Sequence, residues 1–446
     1  MSASAPAHAN GSGRMQRLLL DRRYQRYVLA VLFLGYVFNV IDRGVLSVLQ
    51  TSIKHEFGWS NAQLGFLYGV PFALFYSTLG LFFGVWADRV SRRAVLGLSI
   101  ALWTTATALC GAAGSYPMML LARVGTAVGE AGGTPPSHAL ISDYFPAERR
   151  ATALAVYALG VPVGGALGSY FGGLGNDLFG WRETFVLVGL PGLIVAALAR
   201  FTILEPPRGH ADGTAASGSA RAAAPRVTEV FKFLWQRSSF RHMCLAAGLH
   251  AIVWYAGSSF NPQFLQVSHQ MSAARAGFWT GLFSGISGIG TFLGGWLADR
   301  MSVRLRDSRW YMWLPGCATL AMIPFQFTSY LPGSLWLAIP SFCVMLTLGA
   351  FFFGPSFAMS QGLATFRMRA LSTSLLLLVQ TALGLGIGPW LTGFISDRLK
   401  PSLDTGALRY ALVIVGLINL WSAGHYFWGA RSVRGDLEAT AHAARN

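Results

Sequence analysis

The sequence predicts an all-α membrane protein: twelve transmembrane helices arranged as two pseudo-symmetric six-helix bundles. Three observations carry this expectation. Of the 446 residues, 53% are hydrophobic and only 12% charged, with a mean hydropathy of +0.47, which does not describe a water-soluble surface. Apolar stretches of about 20 residues, the length that crosses a roughly 30 Å hydrocarbon core, occur twelve times. Finally, Gly84-Val-Trp-Ala-Asp88-Arg89-Val-Ser-Arg92-Arg93 recurs as Gly295-Trp-Leu-Ala-Asp299-Arg300-Met-Ser-Val-Arg304.

The stretches fall near 27–49, 62–86, 94–113, 117–141, 151–175, 183–203, 241–266, 274–297, 310–330, 333–357, 370–395 and 408–429. Continuous apolar runs exclude transmembrane strands, which would alternate over ten-residue segments. Residues before Arg14 are small and polar with no apolar signal core, so 1–26 reads as a retained tail. The longest hydrophilic interruption, 204–240, holds the small-residue run Gly209 to Ser219 and reads as a flexible linker. It separates an N-terminal bundle, 27–203, from a C-terminal bundle, 241–429, and 430–446 forms a second tail. Two parallel six-helix repeats suit a secondary transporter with its substrate site at the bilayer midplane.

The net charge of +16 is a topology signal rather than a nucleic-acid face, because the basic residues lie between apolar runs. If the N-terminus is cytoplasmic, 26 of the 34 Lys and Arg residues lie at inside segments and six in outside loops. The positive-inside rule thus places both termini in the cytoplasm and the chain in the plasma (inner) membrane as a multi-pass protein. Cys110, Cys244, Cys317 and Cys343 are dispersed in apolar runs and supply neither a disulfide framework nor a zinc site.

The Gly84–Arg93 loop and its partial copy resemble the signature loop of the major facilitator superfamily. Within it, Asp42-Arg43, Arg123-x6-Glu130-Ala-Gly-Gly-Thr-Pro-Pro136, Asp143-Tyr-Phe-Pro146, Gly180-Trp-Arg182, Pro191-Gly-Leu193 and Glu205-Pro-Pro-Arg-Gly209 resemble the Spinster family. The resemblance implies proton-coupled carriage of a lysophospholipid or sphingoid phosphate by alternating access. No equally specific motif marks the C-terminal half. The nearest rival is a proton-coupled symporter of a small organic anion such as a sugar acid, since those carriers share a span-one Asp-Arg and a span-four Glu.

Only Asp42, Glu130, Arg43 and Arg123 place charge well inside the spans, where it costs several kcal/mol unless paired or hydrated. Arg123 and Glu130, seven apart, lie about 20° from alignment on one helix face. Glu130 and Asp42 are therefore expected as proton-linked carboxylates, and Arg43 and Arg123 as partners of an anionic substrate. Gly125, Gly129 and Gly133 repeat every four residues on another face and allow close helix packing. Asp88, Arg89, Arg93, Asp299 and Arg300 are expected to form a cytoplasmic gate, and Asp177 with Arg182 its outside counterpart. His250 and Asn261 are polar at membrane depth and are candidates to line the cavity, with Pro262 expected to break its helix. Trp254, Tyr255, Phe260, Phe264 and Phe351 to Phe353 make the C-terminal half apolar and aromatic.

An enzyme is not expected. No phosphate-cradling lysine loop exists, since Lys54, Lys232 and Lys400 follow Ile, Phe and Leu. His138 and Asp143 have the spacing of a lipid acyltransferase pair, the remote alternative, but point about 140° apart on a helix. No metal cluster or cofactor motif appears. The expected partners are the lipid or organic anion, protons and the bilayer, with no nucleic acid and a monomeric chain.

Overall fold

The computed structural model describes residues 18–208, 210–212 and 226–443, and no strand occurs among them. Among the described residues, eight helical stretches are long and apolar enough to cross a membrane, and the last of them, Phe366–Ala430, is 65 residues long. That last stretch makes two passes around the turn Asp404–Gly406. Asn61–Arg89, Trp310–Tyr330 and the broken pair Tyr116–Ala131 and Thr134–Tyr144 supply three more, giving the twelve expected from the apolar runs.

The elements needed below are α1 (Arg22–Phe57), α2 (Asn61–Arg89), α3 (Arg92–Gly111), α4 (Tyr116–Ala131), α5 (Thr134–Tyr144), α6 (Ala147–Ala158) and α7 (Gly160–Phe179). They continue as α8 (Trp181–Gly189), α9 (Gly192–Phe201), α10 (Val227–Trp235), α11 (Ser238–His269), α12 (Ala273–Arg304), α13 (Trp310–Tyr330) and α14 (Leu335–Gly349). The last are α15 (Phe353–Gly362), α16 (Arg369–Val379), α17 (Gly386–Leu403), α18 (Ala407–Gly416), α19 (Ile418–Ala430) and α20 (Val433–Ala443). A π-helical turn, Gln380–Leu385, joins α16 to α17. The break between α4 and α5 falls at Gly132-Gly133, and Pro135 and Pro136 restart the helix where a missing N–H costs nothing.

The described residues pack as two compact units, one drawn from within 1–42, 78–165 and 185–220 and the other from within 43–77, 166–184 and 221–446. In the first, Leu96, Ile100 and Trp103 of α3 share a core with Val28, Leu32, Leu140 and Val195. A Cβ on Gly97 would lie 2.8 Å from Arg200 Cβ, so α3 and α9 approach closely at that glycine. In the second, Phe264, Phe283, Tyr330 and Phe342 form an aromatic core cluster. Phe264 and Tyr330 meet edge-on at 5.2 Å between centroids, as ring quadrupoles prefer.

Three segments differ from expectation. Pro262 does not break its helix: α11 runs unbroken through it. One missing N–H is a small loss to a 32-residue helix whose flanks are tightly packed. The 204–240 segment is not linker throughout, since Val227–Trp235 is helical. The C-terminal tail also folds: α20 docks through Asp436, whose Oδ2 accepts from the Ser239 backbone N–H at 2.8 Å and its hydroxyl at 2.7 Å. Arg434 Nη2 donates to Asp307 Oδ2 at 2.9 Å.

The Arg309 and Arg434 guanidiniums hold the Asp307 carboxyl well below the usual carboxylate range. A depressed folded value means that this contribution is present at every pH above the unfolded value, about 3.9. It is lost only as pH falls through the folded value. Hydrogen exchange across α20, corrected for intrinsic rates, should therefore be equally slow at about pH 5 and about pH 8. It should be faster in Asp307→Asn.

Candidate functional site

Two of the four intramembrane charges meet directly. Asp42 is 2% exposed and Arg123 is 1% exposed, and Arg123 Nη1 donates to Asp42 Oδ2 at 2.7 Å. Glu130, two turns along α4 from Arg123, is fully buried. Arg43 is held differently: its guanidinium carbon stands 4.2 Å from the centroid of the Phe72 ring and 5.7 Å from that of Tyr76. An aromatic face attracts the cation while leaving its in-plane N–H donors to other acceptors.

The glycine repeat explains how α4 is seated. A Cβ on Gly129 would lie 2.5 Å from the Trp103 backbone nitrogen, and one on Gly125 3.2 Å from Ala106 Cβ. Small residues therefore bring α4 against α3. Glu130 sits in the final turn of α4, one residue before its end.

A second feature lies at the helix ends away from the termini. Asp177 accepts from the backbone N–H groups of Ala273 and Ala274, at 3.2 and 2.9 Å. Asp397 accepts from those of Asn61 and Ala62, at 3.0 and 2.7 Å. Each carboxylate thereby caps a helix start, α12 or α2, where free N–H groups and the helix dipole favour an anion. The helices then run in close contact. A Cβ on Gly173 would lie 2.1 Å from the Ala273 carbonyl oxygen, and one on Gly277 2.2 Å from that of Ser169. Likewise, a Cβ on Gly393 would lie 2.1 Å from the Asn61 carbonyl oxygen, and one on Gly65 2.2 Å from that of Pro389.

The two clasps, α7 on α12 and α17 on α2, are copies of one design. Beside the second, Asn61 Nδ2 donates to Ser396 Oγ at 2.9 Å. Its Oδ1 accepts from Gln263 Nε2 at 3.0 Å and Lys54 Nζ at 2.5 Å. Gln50 Nε2 donates to Ser259 Oγ at 3.1 Å.

This pattern corrects the expected Asp177–Arg182 association. Arg182 Nη2 instead donates to Glu56 Oε1 at 2.5 Å, Trp181 Nε1 donates to Glu56 Oε2 at 2.7 Å, and the guanidinium stacks on Trp181. The Gly-Trp-Arg motif thus fastens the far end of α1, with Gly180 in the left-handed region at φ +93°. The charged loop residues are likewise distributed rather than gathered. Arg93 donates to the Ile203 carbonyl, Asp299 accepts from the Tyr311 hydroxyl at 2.6 Å, and Arg300 lies over Trp296. Arg89 is exposed, and the Asp88 side chain lies outside the described residues.

The Arg92 and Arg93 N–H groups are capped by Glu205, at 2.9 and 3.1 Å. Asp143 pairs with Arg92, while His138 packs edge-on against Tyr157, so the acyltransferase pair is divided between different partners. His250 is bonded to Asn419 Oδ1 at 2.9 Å and to the Gly349 carbonyl at 2.8 Å, where α14 gives way to a 3-10 turn. Asn261 accepts from Tyr330 at 2.8 Å. All three bonds tie α11 to neighbouring helices.

A family model described as Major Facilitator Superfamily matches residues 32–389. The chain belongs to that superfamily. Its Spinster character is carried by the crystal structure of a bacterial homologue of the human lysosomal transporter Spinster, inward-facing and unoccupied. That structure superposes on the major facilitator fold of this chain with a TM-score of 0.85 at 31% identity, covering 93% of this chain and 99% of that one. An MFS-type efflux pump of Mycolicibacterium smegmatis is 30% identical over 413 residues, 91% of this chain and 93% of that protein. A probable L-galactonate transporter of Escherichia coli K12 is 25% identical over 445 residues, 96% of this chain and 94% of that protein. This Spinster-type transporter therefore carries its buried charges in a fold whose members move small organic substrates across membranes.

Sequence reasoning found the four charges and missed the clasps. Their signal was present: Gly65 and Gly69 recur as Gly277 and Gly281, and Gly173-x3-Asp177 recurs as Gly393-x3-Asp397.

Proposed function

We propose that this major facilitator carries an amphipathic anionic lipid, lysophospholipid-like or sphingoid-phosphate-like, coupled to protons by alternating access. The observation that supports it most is the buried Asp42–Arg123 pair, with a second carboxylate, Glu130, fully buried two turns further along α4. A buried ion pair costs desolvation that apolar packing would avoid. Its presence is accounted for if one carboxylate takes up a proton and frees Arg123. Arg43, whose guanidinium lies over the Phe72 and Tyr76 rings, is the second anion partner. The likeness to the Spinster homologue fits the lipid substrate that the Spinster resemblance of the sequence implies.

The four backbone amides that Asp177 and Asp397 engage close the side away from the termini, and outward opening releases them. Asp88, Arg89, Arg93, Asp299 and Arg300 act on the opposite side. With the six-plus-six division at 204–240 and both termini cytoplasmic, the protein works as a monomer in the inner membrane. Asp88→Asn should raise cysteine accessibility from the cytoplasm, whereas unchanged accessibility would make the loop residues simple anchors.

A second reading, symport of a small organic anion, is favoured by the L-galactonate relative, which aligns over almost the whole chain. Thermal stabilisation of the purified protein by lysophospholipids, sphingoid phosphates and sugar acids separates the two. Stabilisation by sugar acids alone overturns the lipid reading. Arg43→Lys should weaken an anionic lipid more than tenfold, about 1.4 kcal/mol, because lysine lacks the bidentate fork. Its effect on an uncharged analogue should be slight.

A further inference from the structure

The geometry points to α10 as a membrane-surface anchor, with Val227, Phe231 and Trp235 inserted into the lipid leaflet on the side of the chain termini. The helix has three sectors. At 100° per residue, Phe233, Val230 and Leu234 occupy one arc, Val227, Phe231 and Trp235 the next, of about 80°, and Thr228, Lys232, Gln236 and Glu229 the remainder. The protein covers the first arc only: Val230 and Leu234 are fully buried in a core with Phe240, Met243, Leu363 and Leu371. The second arc stands open, with Val227 50%, Phe231 44% and Trp235 47% exposed.

The open residues form one continuous surface, since the Phe231 and Trp235 rings stack at 5.2 Å. Apolar character therefore extends over roughly twice the arc that the protein uses. A soluble loop helix has no reason to keep two neighbouring aromatic rings in water.

Position identifies the occupant. The helix ends at Trp235, and α11, a membrane-spanning helix, starts at Ser238. Arg241 Nη1 donates to the Trp235 carbonyl at 2.9 Å, which fixes Trp235 beside the first turn of α11. Trp235 is thereby held where a transmembrane helix leaves the bilayer, the depth at which tryptophan is enriched. Arg226, Lys232, Arg237 and Arg241 outnumber the single acid, Glu229, in this stretch. Their excess suits the phosphates of an anionic leaflet. An apolar aromatic sector flanked by basic residues is what an in-plane interfacial helix requires.

Nitroxide labels at Phe231→Cys and Lys232→Cys test this in the full-length protein, with Cys110, Cys244, Cys317 and Cys343 replaced by alanine, in phosphatidylcholine and phosphatidylglycerol nanodiscs. Neither labelled position carries the buried contacts of Val230 and Leu234, and a Trp235→Cys label provides a second reading of the same sector. Collision with oxygen should exceed collision with a water-soluble nickel complex at Phe231 and Trp235, and the order should reverse at Lys232. Nickel accessibility at Phe231 and Trp235 equal to that at Lys232 would place the sector in water. Protection of both labels from both relaxants would place it against protein. Either result overturns the proposal.

Discussion

Gly393→Leu and Gly173→Leu should each spring open one clasp on the side away from the termini. The glycine Cα positions face backbone carbonyls, and a Cβ at either site would lie 2.1 Å from an oxygen that no rotamer change can move. Overpacking of this kind costs about 1–3 kcal/mol, occasionally more. Because the strain exists only while the helices touch, it falls on the closed state and shifts the population by roughly 5- to 150-fold.

Pulsed electron spin distances between labels at Gln63 and Lys400 should lengthen in Gly393→Leu, and those between Leu178 and Arg275 in Gly173→Leu. Transport should fall in both. Gly285→Leu, on the same helix as Gly277 but with nothing within 4 Å of the added Cβ, should change neither distance. Unchanged distances in both clasp variants would show that the clasps are not what holds this side closed.

The second large effect concerns the buried pair. Asp42→Ala leaves Arg123, 1% exposed, without its carboxylate, and breaking a buried pair from one side costs about 3–5 kcal/mol. The melting temperature should drop sharply. Asp42→Ala combined with Arg123→Leu removes both charges and should recover most of that stability, since apolar replacement of a buried pair is often neutral or favourable. Transport should not recover with it. Recovery of both together would reduce the pair to a packing device.

Much of this was readable beforehand, for a physical reason. Charge inside a membrane is so costly that four residues, Asp42, Arg43, Arg123 and Glu130, stood out with no structure at all. The helix count was legible because a membrane span needs a fixed length of apolar chain. Which charges meet was not legible: adjacent in sequence, Asp42 takes Arg123 while Arg43 turns to Phe72 and Tyr76.

The repeated glycines and aspartates marked where the clasps lie, but their partners stayed hidden because a capping carboxylate engages backbone amides, which carry no residue type for a pattern to reveal. Asp177 consequently looked like a partner for Arg182 rather than a cap for α12. Helix α10 was hidden by composition, since the small residues of 209–219 led the whole interval to read as linker. Pro262 misled because a propensity learned from exposed helices was applied to one packed on most sides.

The central claim, that a buried carboxylate couples protons to lipid movement, is tested most directly by flux in proteoliposomes across an imposed pH gradient. Glu130→Gln keeps the size and shape of a fully buried side chain and should leave the melting temperature near that of the wild type. A fluorescent lysophospholipid should move faster through the wild-type protein when the gradient is imposed, and Glu130→Gln should lose that acceleration. Flux through Glu130→Gln that responds to the gradient as fully as the wild type would contradict the account.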